Sequence, residues 1–140
     1  MLLGEHEHAL DEKNRLTLPA KLRAELGERV VVTRGLDGCL YVYAAAQWAQ
    51  LAERVGTLDP LSSEARTMQR FFFASGSEAD VDRQGRVVIP ANLLATVGRE
   101  LTVIGVYDHL EIWDRAAWRT QRQTVEGSAE DVAERLANRD

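Results

Sequence analysis

Cysteine is nearly absent. Cys39 is the single thiol in 140 residues, so no disulfide can close within the chain, and a lone thiol fits a reducing compartment. It lies at a strand edge without a nucleophile signature around it and reads as a filler residue. Long apolar runs are missing too. No stretch approaches the roughly 18 residues of a membrane span. The N-terminal MLLGEHEHAL has neither a basic start nor a long apolar centre, so it does not read as a secretion signal. The expected compartment is the cytosol, with no membrane partner.

The motifs of catalysis are also lacking. Ser62 and Ser63 sit in no elbow motif, and no glycine-rich phosphate loop occurs. His6 and His8 would share one face of a strand, but no cysteine or acid pair completes a metal site. Catalysis needs titratable groups that converge in a pocket, and no such set is legible. The expectation is therefore no enzyme, no cofactor, no metal and no small-molecule substrate. Nor do cations dominate: the net charge is −5, which argues against a generic nucleic-acid binder. The charge is unevenly placed, however. Lys13, Arg15, Lys21 and Arg23 fall in one stretch with no acid among them. Glu126, Glu130, Asp131, Glu134 and Asp140 crowd the C-terminal end against Arg135 and Arg139. An acidic tail can hide a local basic face in the total.

What is present is an internal repeat. At an offset of 71 residues Asp11 falls on Asp82, Arg15 on Arg86, Pro19 on Pro90, Leu22 on Leu93 and Gly27 on Gly98. At an offset of 70, Leu40 meets Leu110, Tyr43 meets Trp113 and Trp48 meets Trp118. One residue has been gained or lost in a turn, where change is best tolerated. Each copy reads alike. A strand (5–10; 78–81) leads into a turn over the Asp-to-Arg motif, then a short strand (16–18; 87–89). Pro19 or Pro90 ends that strand and suits the first turn of a helix, which Gly27 or Gly98 stops. Two strands joined by GLDG or YDH follow, then a longer helix anchored by Trp48 or Trp118. Ser62 or Ser63 should cap a linker helix whose Phe71–Phe73 serve core or subunit contact. Ser128 and Asp131 stand at capping-box spacing, predicting a separate solvated final helix.

The expected fold class is mainly β with short helices (α+β). The units are a first repeat at 1–56, a linker helix at 57–74, a second repeat at 75–125 and an acidic helix or tail at 126–140. Each copy spans roughly 50 residues, a size at which a lone unit buries little apolar surface. The copies should therefore fold against one another into one core.

The repeated motif is DEKNR in the first copy and DRQGR in the second. An aspartate opening a turn accepts hydrogen bonds from N–H groups further on, and a later glycine supplies positive φ. Asn14 replaces that glycine in the first copy, and asparagine tolerates the left-handed region. From the spacing two readings stand. One is a tight surface turn closed by an Asp–Arg ion pair. The other is a pair of cationic hairpin tips carrying Lys13, Arg15, Arg83 and Arg86, suited to phosphates and guanine edges. Lys21 and Arg23 read either as a solvated helix face or as backbone-phosphate contacts.

The motif pair, its Arg-strand-Pro-Ala continuation, the opening MLLGEHEHALDEKNRLTLPAKLR and the later VIGVYDHLEIWD closely resemble the MraZ family of bacterial transcriptional regulators. The resemblance covers nearly the whole chain. It implies a duplicated AbrB-like swapped-hairpin β-barrel with flanking helices, whose halves interlock as AbrB-type dimers do. It implies a ring-shaped homo-oligomer that binds double-stranded DNA upstream of its own gene in the division and cell-wall cluster, repressing that operon, in a nucleoid-associated protein. Ring neighbours stand head-to-tail, so half-sites are expected as direct repeats. The implied DNA-binding residues are Lys13, Asn14, Arg15, Arg83 and Arg86. Asp11, Asp82, Gly85, Pro19 and Pro90 shape the turns. Asn14 departs from the family's glycine. AbrB-like barrels also occur in antitoxins, so a protein-interaction module of that kind is the alternative.

Overall fold

A computed structural model describes residues 1–139; Asp140, the last acid of the tail, lies outside them. The first copy contributes β1 (Glu5–Ala9), β2 (Arg15–Thr17), α1 (Ala20–Leu26), β3 (Arg29–Arg34), β4 (Leu40–Ala44) and α2 (Ala45–Gly56). Helix α3 (Ser63–Ser75) leads to the second copy: β5 (Ser77–Asp80), β6 (Arg86–Val88), α4 (Ala91–Val97), β7 (Glu100–Val106), β8 (His109–Asp114) and α5 (Arg115–Ala137). The chain is α+β and duplicated.

Six strands form one antiparallel sheet in the order β1-β7-β8-β4-β3-β5, and β2 pairs β6 in a separate ribbon. Exchange each strand for its counterpart and the six-strand order reads the same backwards. β1 of the first copy lies on β7 of the second, and β5 of the second lies on β3 of the first. This is the swapped-hairpin arrangement. The barrel is not closed, because β1 and β5 are the free edges of the sheet.

The pleat explains the core. Leu16 and Val87 pair across the ribbon and point inward, fully buried. They meet Leu22 and Leu93 from the two short helices, and Val32, Leu40, Leu101 and Leu110 from the sheet, in one apolar cluster drawn from both copies. Alternation at period two puts the flanking residues Arg15, Thr17, Arg86 and Val88 on the opposite, outer face.

Local signals act as expected at several ends. Gly27 and Gly98 follow α1 and α4 with φ of 76° and 71°. Ser62 caps α3, its hydroxyl accepting from the Ala65 amide at 3.3 Å. Phe72 is buried, Phe71 half-buried and Phe73 exposed. Trp48 packs against Tyr43 and Phe73 at centroid distances of 6.1 and 6.0 Å. Trp118 packs on Trp113 at 5.4 Å.

The tail corrects one expectation. Ser128 does not cap a separate helix, because α5 runs unbroken through it. Its hydroxyl donates backward to the Thr124 carbonyl at 2.6 Å. The cap is Asp114, which accepts from the Ala117 amide at 2.9 Å. Gly127 costs an exposed helix only about 1 kcal/mol, too little to stop one flanked by ordinary helix formers. No helix among the described residues is long and apolar enough to cross a membrane.

Candidate nucleic-acid interface

Both motif turns close in the same way. Asp11 Oδ1 accepts from the Lys13 and Arg15 amides, each at 2.9 Å. Its Oδ2 accepts from Arg15 Nε at 2.6 Å. Asp82 repeats the pattern with the Gln84 amide at 2.9 Å, the Arg86 amide at 2.8 Å and Arg86 Nε at 2.7 Å. Asn14 and Gly85 take the required left-handed backbone, with φ of 59° and 78°. Each aspartate therefore fixes its turn and aims its arginine.

These bonds also tune the carboxylates. The amide of Arg15, with partial desolvation opposing and the Arg15 side chain and Lys13 amide assisting, holds Asp11 down at about 2. Asp82 is lowered too, first by the Arg86 amide. An unfolded aspartate titrates near about 3.9. A depressed folded value means the turns stabilise the fold fully above that pH and lose this as pH falls towards 2. Wild-type protein is thus expected to lose stability to urea between pH 5 and pH 2.5. Asp11→Asn and Asp82→Asn should lose less over that window. Equal losses in wild type and both variants would remove the turns from the acid response.

The ribbon brings Arg15 and Arg86 together. Arg15 pairs with Val88 and Thr17 with Arg86, so the two arginines lie diagonally on one face, their Cα atoms roughly 8 Å apart. Thr17 and the exposed Val88 stand beside them. The turns sit at opposite ends of the ribbon: Asn14 accepts from the Ile89 amide at 2.9 Å, and Gly85 from the Leu18 amide at 2.8 Å. Lys13 and Arg83 are exposed at those ends. Pro19 and Pro90 precede α1 and α4 with φ of −55° and −56°. Lys21 is exposed on α1. Arg23 turns towards the protein and donates to the Arg83 carbonyl at 2.7 Å.

Sequence reading missed Arg99. It donates from Nη2 to the Asp11 carbonyl at 2.5 Å and from Nη1 to Asn14 Oδ1 at 2.8 Å. Its position just after the helix-stopping Gly98 carries no signal of that role, since the first copy has Glu28 there.

A family model described as "MraZ protein, putative antitoxin-like" matches residues 1–71 and again 72–140. The chain belongs to the MraZ family. A relative from Heliobacterium modesticaldum, named transcriptional regulator MraZ, is 43% identical over 142 residues, covering all of this chain and 99% of the relative. The double match accords with the offset that places the two Asp-to-Arg turns on each other. In this MraZ chain the two turns and the ribbon between them form one surface, built equally from both copies.

Proposed function

We propose that this protein is a DNA-binding transcriptional regulator that reads bases with the β2–β6 ribbon. The observation that carries the reading is the diagonal pair Arg15 and Arg86 on the ribbon's outer face, each oriented by its aspartate. A two-stranded ribbon fits the major groove, where arginine pairs with guanine and small apolar groups meet the thymine methyl. Lys13, Asn14 and Arg83 at the ribbon ends and Lys21 on α1 are placed to meet the flanking backbone. The name of the MraZ relative supports the same reading. The chemistry is recognition and not catalysis.

The net charge of −5 opposes the binding of one chain to a polyanion. We therefore infer that a ring of chains engages the duplex, that its half-sites recur as direct repeats near every 10 bp, and that the site lies upstream of its own gene, where occupancy represses the division and cell-wall cluster. Linked contacts raise affinity through effective concentration, and the binding weakens as salt rises.

Arg15→Ala is expected to weaken binding to that upstream DNA by about 1–3 kcal/mol, the worth of one base-reading arginine. A gel shift of folded variant against wild type measures it. Unchanged affinity would remove Arg15 from the interface. The antitoxin wording of the family description favours a second reading, a protein-interaction module. Failure of the wild-type protein to shift the upstream DNA at low salt would leave that reading in place.

A further inference from the structure

We propose that Arg99 and Arg23 are positioning residues, each locking the reading turn of the opposite copy. The inference rests on the DNA-binding reading for its consequence but not for its geometry. Arg99 belongs to the second copy and holds the turn at 11–15 of the first, with both of its Nη groups committed to Asp11 O and Asn14 Oδ1. Arg23 belongs to the first copy and holds the turn at 82–86 of the second through the Arg83 carbonyl.

The two braces are not copies of each other. At the 71-residue offset Arg23 corresponds to Leu94, and Arg99 to Glu28. The same task is met twice by different means. A Cβ on Gly85 would stand 2.7 Å from Arg23 Cδ and 2.8 Å from its Nη1. Arg23 therefore lies over Gly85, and its flexible end would have to move aside for a side chain at that position. In the first turn the brace bonds to the side chain at the tip. Asn14 has room for its side chain and uses it to receive Arg99. Asparagine at the first tip thus receives its brace, and glycine at the second lies beneath one.

The consequence is preorganisation. Asp11 and Asp82 orient Arg15 and Arg86 only while their turns keep shape, and an exposed turn alone is mobile. A guanidinium tied to the turn's carbonyl and tip stabilises the one conformation in which the reading arginine leaves the ribbon at the correct angle. Preorganised contacts lose less entropy on binding. Because each brace crosses between copies, its contribution to the order of a turn exists only in the interlocked chain.

The test uses the full-length chain and has two arms. In the first, without DNA, amide hydrogen exchange is followed by mass spectrometry in peptides over 10–17 and 81–88. Arg99→Ala should accelerate exchange in 10–17 alone, and Arg23→Ala in 81–88 alone. Loosening of both turns by either variant, or of neither, overturns the proposal. In the second arm, affinity for upstream DNA and for scrambled DNA is measured across a salt series. Arg99→Ala should lower the ratio of specific to non-specific affinity about tenfold, the scale of a lost charged hydrogen bond, and Arg99→Lys should recover part of it. The salt slope should stay unchanged. A slope reduced by about one would mean a direct phosphate contact and would overturn the positioning role. Wild-type protein that fails to discriminate the two DNAs would refute the DNA reading, while the exchange arm still decides the braces.

Discussion

Cut into residues 1–75 and 76–140, the chain is expected to yield no folded monomer from either piece. Among the described residues six strand ladders hold the sheets, and four of them join one copy to the other: β1 to β7, β2 to β6, β3 to β5 and β4 to β8. Only the β3–β4 and β7–β8 hairpins survive the cut. An isolated hairpin is marginal in water, and each piece would expose its half of the shared core. Leu16 would lose Val87, and Val30 and Val31 would lose β5. The expected result is a complete loss of the cooperative thermal transition for each piece as a monomer. Mixing the two should restore it as a 1:1 complex, since the partner strands are then available. Circular dichroism with light scattering measures both quantities. Two sharply melting monomers would show that the interlocked core is dispensable.

Inserting 5 bp, about half a helical turn, between two direct repeats of the proposed operator should lower affinity about 100-fold or more. The size follows from the ring reading. Linking a second binding unit raises affinity by about 10²–10⁴ when geometry permits both to engage, and the gain vanishes when it does not. Half a turn rotates the second repeat to the far side of the duplex, where a neighbouring ribbon cannot reach it. An insertion of about 10 bp restores the facing side, so it should cost much less. Undiminished binding after the half-turn insertion would defeat the ring mechanism, and Arg15 could still be a reading residue of a single chain.

The sequence by itself determined what is settled within a few residues. Asp11 and Asp82 meet amides two and four positions on. Asn14 and Gly85 are residues that tolerate positive φ, and Gly27 and Gly98 end helices for the same reason. Pro19 and Pro90 divide strand from helix at the same place in both copies. The duplication announced that one such unit would be used twice. These features are local, so residue type at a given spacing carries them.

Only the tertiary structure decided which strand lies beside which. Nothing in the pattern of β1 names β7 as its neighbour, since alternation encodes a face and not a partner. The ribbon that joins Arg15 and Arg86 on one surface exists only because of that exchange. Arg99 meets Asn14 across 85 residues of chain, and Arg23 meets Arg83 across 60. Each outcome depends on groups far apart in the chain, which only the folded backbone brings within reach.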